Sequence, residues 1–172
     1  LPVYRFVLWG LLIISMLVFV PSLLGQTGSP YAESRETQDF TFADGLFTDG
    51  LYDLASEQFD RFLKDYPQSQ LCDEAAYKFA ECRFLAENFP QAIDRFQSYF
   101  ISYIGGQFPD KALLRLGQSY LQESNPAQAI KSLQRLIDHY PGSEVSDQAY
   151  YWKGEAHLAQ GDSAAAVTAF WG

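Results

Sequence analysis

The sequence repeats with a period of 37 residues, and this period most constrains what the chain can fold into. Alanine recurs at that step four times, at Ala55, Ala92, Ala129 and Ala166. Further columns keep the step without a gap: Phe59, Phe96, Leu133 and Phe170; Tyr66, Tyr103 and Tyr140; Ala43, Ala80, Gly117 and Gly154; Gly45, Cys82, Ser119 and Ala156. A single unit this small cannot bury its apolar face alone, so the period predicts stacked units that share a continuous core.

Each unit is predicted to be a helix, a tight turn and a second helix. In the third unit, apolar residues follow a 3.6-residue spacing from Ala112 to Leu121 and again from Ala129 to Ile137. Between them Asn125 suits an N-cap and Pro126 the first helical position. The chain is therefore expected to be all-α, with eight helices and no strand, in units of about 38–69, 70–106, 107–143 and 144–172. The last unit is expected to be incomplete, with the natural protein continuing beyond it.

Two small-residue columns are predicted to face each other where the paired helices approach closely. One is the alanine column, and the other contains Gly45, Cys82, Ser119 and Ala156. Larger side chains in these columns would push the helices apart and lose packing contacts.

The units resemble tetratricopeptide repeats, which have a small residue within the first helix, Ala and an aromatic in the second, and Pro at the end. Gly117 or Gly154, Ala129 with Leu133, and Pro67 or Pro141 carry this resemblance, which extends from Gln38 to Trp171. It implies an α-α superhelical solenoid. The period and the endings Tyr66-Pro67-Gln68-Ser69 and Tyr140-Pro141-Gly142-Ser143 are similar to a bacterial envelope subgroup typified by BamD and YbgF. The second unit departs, because Tyr103 is followed by Ile104-Gly105-Gly106, which removes the Pro and is expected to add flexibility.

Residues 1–25 differ from the rest of the chain. Arg5 precedes an apolar run from Phe6 to Val20, and Gly25 precedes a polar stretch, which is the pattern of a secretory signal peptide. Residues 6–24 number 19, which is also long enough for a retained membrane anchor. Both alternatives export the remainder. Gln26 stands where a lipid-anchored protein would need Cys, and residues 26–37 have the composition of a linker.

Composition excludes several functional classes. The formal charge is −9, with 12 Lys and Arg against 21 Asp and Glu, which disfavours nucleic-acid binding. Two Cys and two His are too few for a structural zinc site without carboxylate ligands. Cys72 and Cys82 lie about 15 Å apart along one helix, beyond disulfide range, and are interpreted as small apolar residues. No cofactor, metal or small-molecule substrate is expected.

Catalysis finds no support in the sequence motifs. His139 and His157 are interpreted as helix residues, and no nucleophile motif or phosphate-binding glycine loop is present. The column of Asp44, Glu81, Gln118 and Glu155 is interpreted as a solvated acidic ridge. The protein is therefore not expected to be an enzyme.

The resemblance implies a concave groove lined by the first helices of successive units. Aromatic and apolar residues alternate there with charges, which suits an extended or helical peptide of another protein. The family's version that binds a C-terminal carboxylate uses Asn and Lys where this chain has acidic residues, so such a ligand is disfavoured. The predicted groove residues are Tyr77, Lys78, Glu81, Phe84, Leu114, Arg115, Gln118, Tyr151, Trp152 and Glu155.

We expect an exported, periplasmic or envelope-associated scaffold that binds envelope or outer-membrane assembly proteins. One alternative is an inner-membrane tether through residues 6–24. A second is that the repeats form the substrate-recruiting arm of a larger enzyme.

Overall fold

A computed structural model describes residues Ser34–Trp171, and the predicted signal peptide or anchor at 1–25 lies outside the described residues. The described part contains eight α-helices and no strand, which confirms the predicted all-α array. The helices are α1 (Arg35–Thr48), α2 (Tyr52–Asp65), α3 (Cys72–Leu85), α4 (Phe89–Ser102), α5 (Pro109–Gln122), α6 (Pro126–His139), α7 (Ser146–Ala159) and α8 (Ser163–Phe170).

The helix starts reproduce the sequence period. The first helices of the four units begin at Arg35, Cys72, Pro109 and Ser146, each 37 residues after the previous one. The second helices keep the same step from Tyr52. Helix α1 begins earlier than predicted, inside the segment 26–37 assigned to a linker, because the Ser34 hydroxyl accepts a hydrogen bond from the Thr37 amide and caps the helix.

The turn between the paired helices has the same geometry in every unit. One residue per turn has a positive φ: Gly50, Glu87, Ser124 and Gly161. The residue after it donates its amide to a carbonyl five residues earlier, as in Asn125 to Tyr120. Side-chain caps then start helices α4, α6 and α8 at Asn88, Asn125 and Asp162. The sequence therefore both stops the first helix and starts the second.

Successive helices pack in order along the chain, and the first helices of neighbouring units also contact one another. Helix α5 contacts α3 and α7 in addition to α4 and α6. The layer whose helices lie closer together is the inner side of the stack. We call the side formed by α1, α3, α5 and α7 the inner face, and the side formed by α2, α4, α6 and α8 the outer face.

The alanine column occupies the closest packing positions, since Ala55, Ala92, Ala129 and Ala166 have no exposed surface. The column that faces it on the first helix differs from the prediction. A Cβ added to Gly117 would lie 2.6 Å from Cγ of Leu133, so the Ala43, Ala80, Gly117 and Gly154 column packs on the second helix of its own unit. Cys82, two residues later, packs instead with Phe59 and Phe62 of the preceding unit.

Gly45 contradicts the second predicted small-residue column. It is exposed, and a Cβ added there would meet nothing within 4 Å. The difference arises because α1 has no second helix before it among the described residues, so the position that Cys82 uses to pack backwards is open.

Each of the helices α1, α3 and α5 carries, near its start, a carboxylate that accepts hydrogen bonds from the later part of the same unit. Glu36 accepts a hydrogen bond from Ser69, and Asp110 accepts one from Ser143. Gly106 replaces the serine in the second unit, where Asp73 instead accepts from the Tyr99 hydroxyl at 2.7 Å and the Gln107 amide at 2.6 Å. A Cβ on Gly106 would lie 2.5 Å from that carboxylate and 2.6 Å from the hydroxyl. Gly106 therefore makes room for the hydrogen bonds of Asp73. This packing role differs from the flexibility that was predicted for the position.

We expect Ala129→Leu to lower the free energy of unfolding by about 1–3 kcal/mol, because the larger side chain overpacks the junction of α5 and α6. The matched control is Ala127→Leu, the same change on the exposed side of the same helix, which should shift stability by less than about 0.5 kcal/mol. Urea denaturation measures both. Equal effects of the two substitutions would contradict the packing assigned to the alanine column.

A second prediction concerns the carboxylate of α3. Gly106→Ala should destabilise the protein by about 1–3 kcal/mol, because the new methyl group displaces Tyr99 from Asp73 and leaves buried polar groups unpaired. Gly142→Ala is the control, since a Cβ there meets nothing within 4 Å. Thermal unfolding of the two variants distinguishes them, and a Gly106→Ala protein as stable as the control would refute the role of this close contact.

Candidate functional site

The predicted groove residues come from columns that lie where the first helices face one another. Residues four apart on one helix lie on the same side, so Tyr77 and Glu81 are neighbours on α3, and the Tyr77 hydroxyl donates to Glu81 at 2.9 Å. Cations on the next helix reach back to the acidic column: Arg115 pairs with Glu81, and Lys78 pairs with Asp44. These contacts place the columns on the inner face.

The centre of the inner face is a buried polar network around Glu81, whose exposure is only 5%. The Arg115 guanidinium donates to it from Nε at 2.9 Å and from Nη2 at 2.7 Å, and donates through Nη1 to Gln118 at 3.0 Å. Burial, followed by the neighbouring Glu81 charge, raises the pKa of the Tyr77 hydroxyl far above its usual range. Tyr77 is therefore a neutral donor that helps to compensate a buried carboxylate.

The same arrangement recurs one unit earlier. Lys78 binds Asp44 of α1 and Glu74 of its own helix, the latter at 2.8 Å, and its ammonium group lies 5.5 Å from the centre of the Phe40 ring. Burial lowers the pKa of Lys78, but the hydrogen bonds to both carboxylates outweigh it and raise the pKa overall. Two ion pairs, each between an acid and the cation 34 residues after it, thus link successive first helices.

Aromatic groups close the remaining space in the middle of the inner face. Tyr77 stacks on Phe108 with ring centres 4.9 Å apart, and Phe84 lies beneath the Arg115 guanidinium at 4.7 Å. Leu114, with 3% exposure, packs with α6 in the core. The predicted solvated acidic ridge is wrong at Glu81 and Gln118, which are 5% and 6% exposed, because Arg115 draws both into a network between helices.

Among the described residues, Tyr151 on α7 is the one predicted groove residue that is exposed. Tyr151 is 51% exposed, although its column partner Tyr77 is half-buried. Its ring contacts Trp152 at 5.4 Å and Phe170 at 5.9 Å between centres. Trp152 is half-buried and packs against the core of the third unit. Glu155 is also half-buried, and no ion pair between residues 34 and 171 includes it.

Among the described residues, both cysteines are buried, whereas His139 is exposed. Burial raises the pKa of Cys82 to about 12 and raises that of Cys72, so both are thiols at neutral pH. The Cys72 thiol donates to the Tyr66 carbonyl at 3.1 Å, and both cysteines are free. Between Ser34 and Trp171, no group of three or more His, Cys, Asp and Glu residues is arranged to hold a metal ion. His157 is half-buried, and its Nδ1 atom has no hydrogen-bond partner.

The sequence contains one signal for the buried network, which the 37-residue columns do not show. Lys78 and Arg115 occupy one column, and each follows an acidic residue by 34 residues, three short of the repeat period. Because that difference is almost one helical turn, it brings the cation of one first helix beside the acid of the helix before it. Phe108, the stacking partner of Tyr77, precedes α5 and belongs to no repeated aromatic column.

The model of the family described as tetratricopeptide repeat matches residues 40–105 and 114–170. The chain belongs to the tetratricopeptide repeat family. Such repeats typically serve as non-catalytic scaffolds that bind other proteins. No curated protein sequence matches the chain. None of the helices between Ser34 and Trp171 has the length and hydrophobicity of a membrane span.

Several solved structures share this repeat architecture. A crystal structure of MamA superimposes with a TM-score of 0.68 at 23% identity, covering 80% of this chain and 75% of that one. MamA from Desulfovibrio magneticus RS-1 (41-end) gives a TM-score of 0.68 at 18% identity, covering 79% and 72%. A putative kinesin light chain of Podospora anserina, with nearly identical TPR-like repeats, gives 0.62 at 10% identity, covering 77% and 69%. At these identities the likeness shows the fold alone.

We expect Arg115→Gln to lower the free energy of unfolding by about 3 kcal/mol, because it leaves the Glu81 carboxylate buried without its partner. Combining it with Glu81→Gln should recover part of that loss, since the uncompensated charge is removed. Lys64→Gln is the control, because the Lys64–Asp60 pair is exposed and should contribute less than about 1 kcal/mol. A double-mutant cycle in urea measures the coupling, and equal losses for Arg115→Gln and Lys64→Gln would contradict it.

Proposed function

We propose that this protein is a non-catalytic interaction scaffold of the bacterial cell envelope, and that the α7 end of its inner face binds a segment of another protein. The observation that carries the proposal is the contrast within one column. Tyr77 is partly enclosed by a network with Glu81 and Arg115, whereas Tyr151 is exposed over 51% of its surface. Among the described residues, Tyr151 is therefore the accessible member of this column.

The chemistry of this surface indicates the kind of segment it binds. Tyr151 offers an exposed aromatic face beside the half-buried Trp152, and aromatic faces bind apolar side chains and cations. Glu155 supplies a carboxylate that has no ion-pair partner among the described residues. With the formal charge of −9, this combination favours a segment in which Lys or Arg flanks an apolar residue.

Sequence features support an envelope location. The run from Phe6 to Val20 has the order of a signal peptide, and the endings at Pro67 and Pro141 resemble those of envelope repeat proteins. The subgroup resemblance supports partners among envelope or outer-membrane assembly proteins. Two alternatives follow from the same sequence, an inner-membrane tether through residues 6–24 and a recruiting arm of a larger enzyme.

Localisation is tested by expressing the natural full-length protein in its own cells and separating periplasm, inner membrane and outer membrane. A protein recovered from the periplasm, with its N-terminus near residue 26, supports a cleaved signal peptide. Recovery from the inner membrane with residues 6–24 intact supports the tether. Recovery from the cytoplasm alone would overturn the envelope proposal.

The binding proposal predicts that Tyr151→Ala weakens binding of a fluorescein-labelled peptide with Lys and Arg around a Leu-Phe pair by about tenfold or more, because an aromatic anchor is lost. Fluorescence anisotropy measures the affinity. Phe42→Ala is the control, since Phe42 is also an exposed aromatic, on α1 at 59% exposure, and it should change affinity by less than about twofold. Equal effects of the two variants, or no binding of the basic peptide by the unaltered protein, would overturn this site.

A further inference from the structure

Two clefts on the outer face are related by the repeat period. The first lies between α2 and α4 over α3 and has a volume of about 230 Å³; the second lies between α4 and α6 over α5 and measures about 210 Å³. Equivalent columns line both, since Leu63, Phe79 and Ser98 of the first cleft correspond to Phe100, Leu116 and Arg135 of the second. The repeat architecture therefore forms both clefts, and the two differ in the side chains that line them.

The two clefts differ in charge. Asp60 lines the first cleft, and Arg95 there lies 3.8 Å from Asp94. One repeat later, Gln97 of the second cleft replaces Asp60, and Lys131 replaces Asp94, the acid beside Arg95 that does not itself line the first cleft. No carboxylate lines the second cleft, which contains the cations Lys131 and Arg135.

These two cations have no ionic partner within the described part of the chain. Both are exposed, whereas most other cations there, including Lys78, Arg83, Lys111 and Arg115, pair with acids. An acidic protein that leaves two adjacent cations unpaired on one helix presents a local site for negative charge.

The second cleft also holds its groups in place. The Arg135 guanidinium lies over the Phe100 ring, 5.1 Å from its centre, and this stacking orients a planar group that can bind a carboxylate through two hydrogen bonds. Gln97 donates to the Tyr120 hydroxyl at 2.6 Å on the opposite wall. Leu113 and Leu116 form an apolar floor.

We propose that the second outer cleft binds an acidic segment of a partner protein, with one apolar side chain over Leu113 and Leu116 and carboxylates on Lys131 and Arg135. The volume suits one large side chain and is below the range of roughly 300–1,000 Å³ typical of small-molecule sites. Two cations on a protein of charge −9 do not form the extended basic surface that nucleic acid needs. This site lies on the face opposite to the proposed inner site and stands independently of it.

The test uses a short fluorescein-labelled peptide in which Asp and Glu surround a Leu-Phe pair, together with its neutral counterpart containing Asn and Gln. Fluorescence anisotropy should show that the protein prefers the acidic peptide by about tenfold or more, and that added salt weakens this binding. The double variant Lys131→Gln/Arg135→Gln should lose about tenfold in affinity for the acidic peptide and keep its affinity for the basic peptide of the inner site.

The matched control is Lys64→Gln/Arg95→Gln, which removes the same charge from the outer face near the first cleft. It should change the affinity by less than about twofold. Circular dichroism melts of both double variants check that folding is retained. Equal losses in the two variants would show a general charge effect and overturn the proposal, as would equal binding of the two peptides or no binding of the acidic one.

Sedimentation velocity without peptide tests another occupant. If the unaltered protein dimerises and Lys131→Gln/Arg135→Gln is monomeric, the cleft binds a second copy of this chain, and the proposal of a partner segment is wrong. Tyr151→Ala should bind the acidic peptide as the unaltered protein does, so failure of the inner site and failure of this cleft produce different results.

Discussion

The close approach of paired helices at the alanine column is the constraint on which the other features depend. Four alanines with no exposed surface allow each second helix to lie against its first helix, and Gly117 opposite Leu133 shows how little space remains. Because interiors are packed without spare volume, this junction fixes the distance between helices in every unit. Since the column repeats every 37 residues, the same distance between paired helices recurs in each unit.

Polar contacts then hold the units that packing has positioned. Carboxylates near the helix starts accept hydrogen bonds from the end of the same unit, as Asp110 does from Ser143. Between units, Arg115 and Lys78 reach acids of the preceding first helix. These groups are buried or half-buried, so each must find a partner or incur the cost of desolvation. Three of the columns that were predicted to bind a partner thereby stabilise the array itself around α3 and α5.

The two faces consequently present different surfaces. On the inner face, contacts between first helices enclose the middle columns and leave Tyr151 accessible at α7. On the outer face, the clefts between second helices reach down to apolar residues of the first helices beneath them. Equivalent positions then acquire different chemistry through substitutions such as Lys131 for Asp94. The repeat sets the shape of the two clefts, and substitutions that depart from the repeat change their charge.

The sequence by itself determined the helices, their order and their spacing, because the 37-residue period, the caps at Asn88 and Asn125 and the apolar spacing act over short distances along the chain. It also identified the columns of residues that lie on the inner face. Tertiary structure alone decided which members of a column are accessible: Glu81 is buried because Arg115 binds it, and Gly45 is exposed because no described helix packs against it. Whether a residue is accessible depends on neighbours that are distant in the sequence. The repeat pattern of a column does not show whether such a neighbour packs against each of its members.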